Sequence, residues 1–143
     1  MISSILTVCT GNICRSPMAE VLLRELLKDE KVVVSSAGLM ALVGYPADPL
    51  AVQLMSERGF DATGHRARQL TTEIAQGAEL ILVMEQWQQR DMEKNMPQVK
   101  GRVFRLGHWQ NFDIVDPYRK GRECFEEALV EIDRGLKKWM KVL

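Results

Sequence analysis

Short apolar runs alternate with longer amphipathic stretches along the chain, and this alternation predicts strands followed by helices. Four runs are short and rich in aliphatic or β-branched residues, which is typical of strands. They are residues 4–8 (SILTV), 31–35 (KVVVS), 80–84 (LILVM) and 103–106 (VFRL). The run at 80–84 is apolar throughout, as expected of a central strand in a parallel sheet.

The stretches between these runs carry apolar residues three or four positions apart, which predicts amphipathic helices. The clearest is the last 20 residues, and residues 17–27 and 87–95 show a weaker stripe. Pro17 suits a first helical position, after Ser16 as N-cap. Asp48 is predicted to cap another helix that begins at Pro49, and Thr71 or Thr72 to cap a short one.

The order of elements predicts the fold class. Strands and helices alternate over residues 1–143 without a repeat or a linker, so we predict a single α/β domain, with a mainly parallel sheet sandwiched between helices. Ligands bind such sheets at the carboxyl ends of strands, near a point where the strand order reverses. The loop after the first strand, residues 9–16, is predicted to lie there.

Composition narrows the function classes. Hydrophobic residues make up 46% and charged residues 27% of the sequence, and 19 basic residues balance 19 acidic ones. Non-specific nucleic-acid binding therefore has no electrostatic support. No apolar stretch approaches the roughly 20 residues that span a bilayer, so no stable membrane insertion is expected. Three cysteines, two of them in one short loop, suit a reducing cytoplasm better than a secreted disulfide framework.

The stretch VCTGNICRSPMAE, residues 8–20, carries the candidate chemistry. Gly11 and Asn12 tolerate left-handed backbone angles, so the loop can curl and turn its N–H groups inward as an anion nest. The following helix adds partial positive charge, and Arg15 adds a fork of donors that matches a phosphoryl group. The predicted phosphate-binding residues are Thr10, Gly11, Asn12, Ile13, Cys14 and Arg15.

Cys9 is predicted to be the nucleophile, at the base of this nest. The nest and Arg15 favour a thiolate there, and a thiolate beneath a phosphate is aimed at phosphorus. No cofactor or metal is needed, because Arg15 and the backbone neutralise the phosphate. The sequence has no G-x-x-x-x-G-K-[ST] motif, which excludes a phosphate-binding loop of the lysine type. Its cysteines lack the spacing that is usual in zinc sites.

Cleavage of a phosphate ester also needs an acid for the leaving oxygen. Two aspartates precede prolines, Asp48 and Asp116. Because Asp48 stands before a helix pattern, an N-cap role is the better interpretation for it. Asp116 follows an irregular stretch, residues 109–115, from which its loop could reach over the nest. The sequence therefore favours Asp116 as general acid.

Five segments together resemble the low-molecular-weight protein tyrosine phosphatase family: VCTGNICRSPMAE, SSAG, GHRARQL, LILVME and DPYRKGRE. The resemblance covers essentially the whole chain and implies a four-stranded parallel sheet flanked by helices. It implies Cys9 as nucleophile, Arg15 as phosphate ligand and Asp116 as general acid. It also implies that Asn12 is a strained loop residue, with supporting partners at Ser16, Ser36 and His65.

The resemblance extends to substrate and regulation. It implies that Leu42, Tyr45 and Tyr118 flank the aromatic ring of a substrate. Arg119 and Lys120 follow Tyr118 as in bacterial members associated with exopolysaccharide export, which implies a phosphotyrosine protein, a tyrosine autokinase, as partner. In relatives the second loop cysteine, here Cys14, can pair reversibly with the nucleophile; simple packing of Cys14 is an equally open alternative.

Three other functions remain to be compared. Arsenate reductases of the same fold use a relay of thiols, but the sequence has a single cysteine, Cys124, after the loop. Protein-arginine phosphatases of this fold carry a threonine where this loop has Ile13. A non-catalytic phosphate-binding module would need neither Cys9 nor Asp116. Tyrosine phosphatase activity is therefore the favoured hypothesis.

Overall fold

The protein, described by a computed structural model over residues 2–143, shows the predicted alternation of strands and helices. The strands in these residues are β1 Ser4–Cys9, β2 Val33–Gly38, β3 Leu80–Val83 and β4 Val103–Arg105. The helices are α1 Arg15–Leu26, α2 Pro49–Glu57, α3 Thr72–Gln76, α4 Gln86–Asn95 and α5 Arg122–Val142, and a 3₁₀ turn spans Pro97–Val99.

The four strands form one parallel sheet in the order β2-β1-β3-β4, which confirms the predicted architecture. Ile5 of β1 lies opposite Val34 on one side and Leu80 on the other. The chain moves from β1 outward to β2 and then crosses to β3 on the opposite side. The carboxyl end of β1 is therefore the switch point at which ligands bind such sheets.

Successive side chains of the central strands enter two different cores, because they point to opposite faces of the sheet. Ile5 and Leu82 pack with residues of α1, α2 and α5. Leu6 and Ile81 pack on the other face with residues of α3 and α4. Both faces are covered, which gives the predicted three-layer sandwich and explains the unbroken apolar run of β3.

The longest helix, α5, buries one stripe that includes Phe125, Leu136 and Trp139. The Trp139 Nε1–H donates to the carbonyl of Leu106 at 2.9 Å. Gly135 permits this close packing, since a Cβ there would lie 2.7 Å from the same carbonyl oxygen. Charged residues lie between the buried positions of α5. Within residues 2–143, no helix has both the length and the apolar character required to cross a membrane.

Two predicted caps are confirmed and one is wrong. The Asp48 carboxylate accepts from the N–H of Leu50 at 2.9 Å, and the Thr71 hydroxyl accepts from the N–H of Ile74 at 3.2 Å. Ser16 does not cap α1, which begins at Arg15 with Cys14 as its N-cap. The hydroxyl of Ser16 is instead bonded within the loop that precedes the helix, as described next.

Candidate active site

A cavity of about 200 Å³ opens at the carboxyl end of β1. It brings together the three residues that the sequence analysis assigned to chemistry, Cys9, Arg15 and Asp116, although Asp116 is distant in sequence. The complete lining is Cys9, Thr10, Gly11, Ile13, Cys14, Arg15, Met40, Leu42, Asp116 and Tyr118. Residues 9–15, here called the 9–15 loop, form the floor.

The 9–15 loop directs its carbonyl groups away from the cavity. The Cys9 and Thr10 carbonyls accept from the N–H groups of Leu39 and Met40, at 3.0 and 2.9 Å. The Gly11 and Ile13 carbonyls accept from the N–H groups of Leu42 and Asp48, at 3.1 and 2.8 Å. Within residues 2–143, no N–H from Gly11 to Arg15 donates to another residue. A curled loop with its carbonyls turned outward presents its N–H groups inward, which is the geometry of an anion nest.

Asn12 holds the loop in this shape. It is fully buried and adopts a left-handed φ of 60°. Its side-chain amide donates to the hydroxyls of Ser16 and Ser36, at 2.8 and 3.0 Å, and its Oδ1 accepts from the N–H of Arg68 at 2.9 Å. Its backbone carbonyl accepts from His65 Nε2 at 2.6 Å. The structure thus places the predicted supporting residues around Asn12.

The Cys9 sulfur is buried and lies 2.9 Å from the hydroxyl oxygen of Ser16. Because that oxygen already accepts from Asn12, the Ser16 hydroxyl proton is free to donate to the sulfur. Ser36 in turn donates its proton to Glu20 at 2.5 Å, so its oxygen is available to Asn12. From the Asn12 amide, one branch of donors therefore runs through Ser16 to the Cys9 sulfur, and the other runs through Ser36 to the Glu20 carboxylate.

Arg15 is a buried cation, with 1% of its side chain exposed. Its Nη1 donates to Glu85 Oε2 at 2.7 Å and to the carbonyl of Ile114 at 2.6 Å. Its Nη2 lies 3.8 Å from Asp116 Oδ2. These partners fix the guanidinium at the cavity. The sequence analysis missed Glu85, although it directly follows the predicted strand 80–84 at the functional edge of the sheet.

Gln88 is a second residue that the sequence analysis missed. It is fully buried, and its Oε1 accepts from the N–H groups of Met84 and Glu85, both at 2.9 Å. Its amide nitrogen donates to the Thr10 hydroxyl at 3.2 Å. Gln88 therefore ties the start of α4 to the 9–15 loop. A glutamine in a polar helical stretch gives no signal of this role.

Asp116 lies across the cavity from the 9–15 loop, with 44% of its side chain exposed. Its Oδ1 accepts from the N–H of Tyr118 at 3.1 Å, in the turn that Pro117 begins. A carboxyl group here can meet the leaving oxygen of a bound phosphate ester. Asp48, the competing aspartate, is committed to its helix cap.

Cys14 differs from Cys9 in its surroundings. Its thiol is buried, and burial raises its pKa well above the ordinary value. The negative charges of Asp48, Cys9 and Asp116 raise that pKa further, against the opposing effect of Arg15. Cys14 is therefore a thiol at neutral pH. All three cysteines are free in the structure.

The walls of the cavity match the predicted pocket in part. Leu42 and Tyr118 line it, and Met40 joins them as a wall that the sequence analysis did not single out. Tyr45 does not line the cavity, and the residue is 58% exposed. Its backbone is bonded to Leu42 and Ala67 just after Gly44, whose φ is 85°, and this turn carries the ring into solvent.

The predictions about other side chains can be placed as well. His108 does not line the cavity and packs edge-on against Phe104 and Trp109. Within residues 2–143, no three side chains of His, Cys, Asp or Glu converge as metal ligands would.

Comparison with known proteins decides the family. The family model for "Low molecular weight phosphotyrosine protein phosphatase" matches residues 4–143. The chain belongs to this family. One relative, from Ralstonia nicotianae, is named probable low molecular weight protein-tyrosine-phosphatase EpsP; it is 52% identical over 140 residues, which cover 98% of this chain and 95% of the relative. Membership confirms the predicted enzyme class, a protein-tyrosine phosphatase.

Solved structures of the family agree with this fold. The crystal structure of the Erwinia amylovora tyrosine phosphatase AmsI superposes with a TM-score of 0.94 at 40% identity, covering all of this chain and 94% of that one. A structure of the YwlE arginine phosphatase superposes with a TM-score of 0.90 at 30% identity, covering 98% of this chain and 95% of that one. The family fold thus accommodates more than one phosphorylated amino acid.

Proposed function

We propose that the protein hydrolyses phosphotyrosine through a cysteinyl-phosphate intermediate, with Cys9 as nucleophile, Arg15 as phosphate ligand and Asp116 as general acid. One observation carries this proposal: Cys9, Arg15 and Asp116 line one cavity, whose floor is a loop with N–H groups that donate to no other residue within residues 2–143. A nucleophile, an anion site and an acid around one cavity are what phosphate-ester cleavage requires.

In the first step, the Cys9 thiolate attacks phosphorus and the bond between phosphorus and the tyrosine oxygen breaks. Asp116 donates its proton to that oxygen, so the leaving group departs as a neutral phenol. The loop N–H groups and Arg15 bind the non-bridging oxygens, whose charge they stabilise in the transition state.

In the second step, a water molecule attacks phosphorus and the bond between sulfur and phosphorus breaks. Asp116, now a carboxylate, takes a proton from that water, and inorganic phosphate leaves. The Ser16 hydroxyl, 2.9 Å from the sulfur, stabilises the departing thiolate by donating to it. The structure of a YwlE arginine phosphatase mutant contains a phosphorylated active-site serine. This relative supports the proposal that the loop nucleophile carries the phosphoryl group during the reaction.

The cavity walls favour tyrosine over arginine as the phosphorylated residue. Met40, Leu42 and the Tyr118 ring offer apolar surface that suits a phenyl ring. Ile13 also lines the cavity and has no hydroxyl to offer, whereas the resemblance implies a threonine there in arginine phosphatases. For an arsenate reductase, the relay would need more thiols than Cys124, which lies in α5.

We further propose that the protein acts in the cytoplasm on a tyrosine autokinase of exopolysaccharide synthesis or export. The support for this partner is the resemblance of the segment DPYRKGRE to bacterial members of that kind. A single phosphatase domain over residues 1–143, without cofactor, is part of the same proposal. A wild-type protein that cleaves phosphotyrosine peptides but leaves a phosphorylated tyrosine autokinase unchanged would contradict the proposed partner.

The experiment that tests the proposal measures phosphate release from a phosphotyrosine peptide in the presence of a chelator and a reductant. Cys9→Ser is expected to abolish turnover, while Cys124→Ser, a matched thiol control, keeps it. Asp116→Ala is expected to lower kcat by about 10²–10⁴-fold, whereas Asp29→Ala, which removes an exposed carboxylate elsewhere, has no effect.

The activity lost in Asp116→Ala, compared between substrates with different leaving groups, distinguishes a general acid from an aspartate with a purely structural role. The loss in Asp116→Ala should be largest for phenyl phosphate and much smaller for p-nitrophenyl phosphate, whose leaving group needs little protonation. Phosphoserine and phosphoarginine peptides run alongside the phosphotyrosine peptide. An inert wild type, or a preference for phosphoarginine, contradicts the proposed function.

A further inference from the structure

Arg119 stands in a backbone conformation that a residue with a Cβ rarely adopts. Its φ is 64°, at the third position of a turn closed by a hydrogen bond of 3.0 Å from Lys120 N–H to the Pro117 carbonyl. That position favours glycine or asparagine, because the left-handed region is costly for most side chains. Strain of this kind is typical of functional sites, where a side chain must be aimed.

The strained turn aims the Arg119 guanidinium at the rim of the active site. Its central carbon lies 5.1 Å from the centroid of the Tyr118 ring, within the range of a cation–π contact. Tyr118 itself lines the cavity together with Cys9 and Asp116. The contact therefore places a positive charge at the rim of the cavity, beside the ring of Tyr118.

Arg119 is also unpaired. It is exposed, and within residues 2–143 it makes no ion pair with a carboxylate. Arg58, Arg105 and Arg122, by contrast, each bond to an acidic side chain. Stacking on a ring occupies a face of the guanidinium and leaves its in-plane N–H donors available for an anion.

We propose that Arg119 is a specificity-determining residue that binds a carboxylate flanking the phosphotyrosine of the substrate, so that acidic phosphopeptides are preferred. This inference rests on the proposed function and names the substrate class of that same site. The planar fork of arginine matches a carboxylate with two donors, and its stacking on Tyr118 reduces the entropy lost when the anion binds.

The test compares two phosphotyrosine peptides that differ only in their flanks, Glu and Asp in one, Gln and Asn in the other. Wild type should show a higher kcat/KM for the acidic peptide, by about fivefold as expected for an exposed ion pair. Arg119→Asn, which tolerates the turn, should lose this preference through KM and keep its rate on the neutral peptide and on p-nitrophenyl phosphate. Lys120→Asn, which removes the adjacent exposed cation, should keep the preference.

Three results would overturn the inference: an unchanged preference in Arg119→Asn, an equal loss on all three substrates, or an equal loss of preference in Lys120→Asn. The two proposals fail differently. A wild type that cleaves both peptides at the same kcat/KM removes the role of Arg119 and leaves the phosphatase function intact. A wild type that cleaves neither phosphotyrosine peptide contradicts the proposed function itself.

Discussion

The 9–15 loop and the segment 113–121, which carries Asp116, face each other across one cavity but are held in opposite ways. In the loop, Asn12 is fully buried and each of its side-chain polar atoms is bonded. In the segment, Asp116 is half exposed, and its carboxylate is fixed by one backbone N–H and a longer contact to Arg15.

This difference follows from the work assigned to each region in the proposed mechanism. An anion nest gains most when its dipoles are fixed before the substrate arrives, because they then need no reorganisation during the reaction. Asp116 must meet the leaving oxygen in the first step and the attacking water in the second, and an exposed carboxyl group at the cavity can reach both. Burial and hydrogen bonding of Asn12 therefore hold the 9–15 loop in place, whereas the exposure of Asp116 leaves its carboxyl group accessible.

The largest expected effect separates two asparagines with the same backbone strain, Asn12 in the loop and Asn111 near the segment, both with φ of 60°. Asn12→Ala removes bonds to Ser16, Ser36 and the backbone of Arg68, so we expect it to lower the free energy of unfolding by about 3 kcal/mol. Activity should fall about 10²-fold, because the loop loses its geometry.

Asn111→Ala is the matched control. Its side chain accepts one exposed bond, from Arg105 at 2.6 Å, so a loss of about 1 kcal/mol is expected, with activity retained. Urea denaturation and steady-state kinetics measure both variants. Equal losses of stability, or an active Asn12→Ala protein, would contradict the contrast between buried and exposed regions.

A smaller effect is expected at Gly38, where β2 meets the 9–15 loop. A Cβ at this position would lie 2.6 Å from the Thr10 carbonyl oxygen and 3.0 Å from the Asn12 Cβ. Gly38→Ala must push the loop away, at a cost of about 1–3 kcal/mol, with a fall in kcat. At Gly64 a Cβ would meet nothing within 4 Å, so Gly64→Ala should change stability by less than about 0.5 kcal/mol.

The outcome of this pair distinguishes a rigid loop from an adaptable one. If the loop shifts without cost, Gly38→Ala will unfold at the same denaturant concentration as Gly64→Ala and keep the wild-type kcat. Thermal or urea unfolding and turnover of p-nitrophenyl phosphate are sufficient to decide it.

The smallest effect concerns the buried thiol of Cys14, whose pKa burial raises above its value in the unfolded chain. A raised pKa in the folded state means that the stability from this thiol is fully present below the unfolded pKa, near 8.5, and declines as pH rises above it. The stability of wild type relative to Cys14→Ala should therefore fall by about 1 kcal/mol between pH 7 and pH 9.5. Urea unfolding with a reductant, at both pH values, measures it; a difference that stays constant would contradict burial of a neutral thiol.

The same two regions show how far the sequence predicts the site. Cys9, Arg15 and Asn12 lie within one short motif, so their proximity follows from local spacing. Asp116 could be favoured because it precedes a proline in an irregular stretch. Arg15 is held by Glu85 and by the Ile114 carbonyl. Both are distant in sequence, and only the crossover of the chain from β1 to β3 brings them close to Arg15.

Predictions of the fold succeeded where one physical effect dominates. The apolar run of β3 and the stripe of α5 are set by burial, and both elements lie where predicted. The start of α1 was misplaced because Ser16 has the chemistry of an N-cap, but its hydroxyl is bonded to Cys9 and Asn12 in the loop. Tyr45 lies outside the cavity lining, because the turn at Gly44 sets the direction of its ring.

The central claim is that phosphate passes through the Cys9 sulfur, and trapping that species tests it most directly. Wild type is quenched in acid during turnover of a phosphotyrosine peptide and digested, and the cysteine-containing peptides are analysed by mass spectrometry. The proposed mechanism predicts one phosphoryl group, on the peptide that contains Cys9, which disappears in Cys9→Ala treated identically, because alanine offers no atom to accept it. A protein that turns over substrate with no phosphoenzyme, or with the phosphoryl group on another residue, would contradict it.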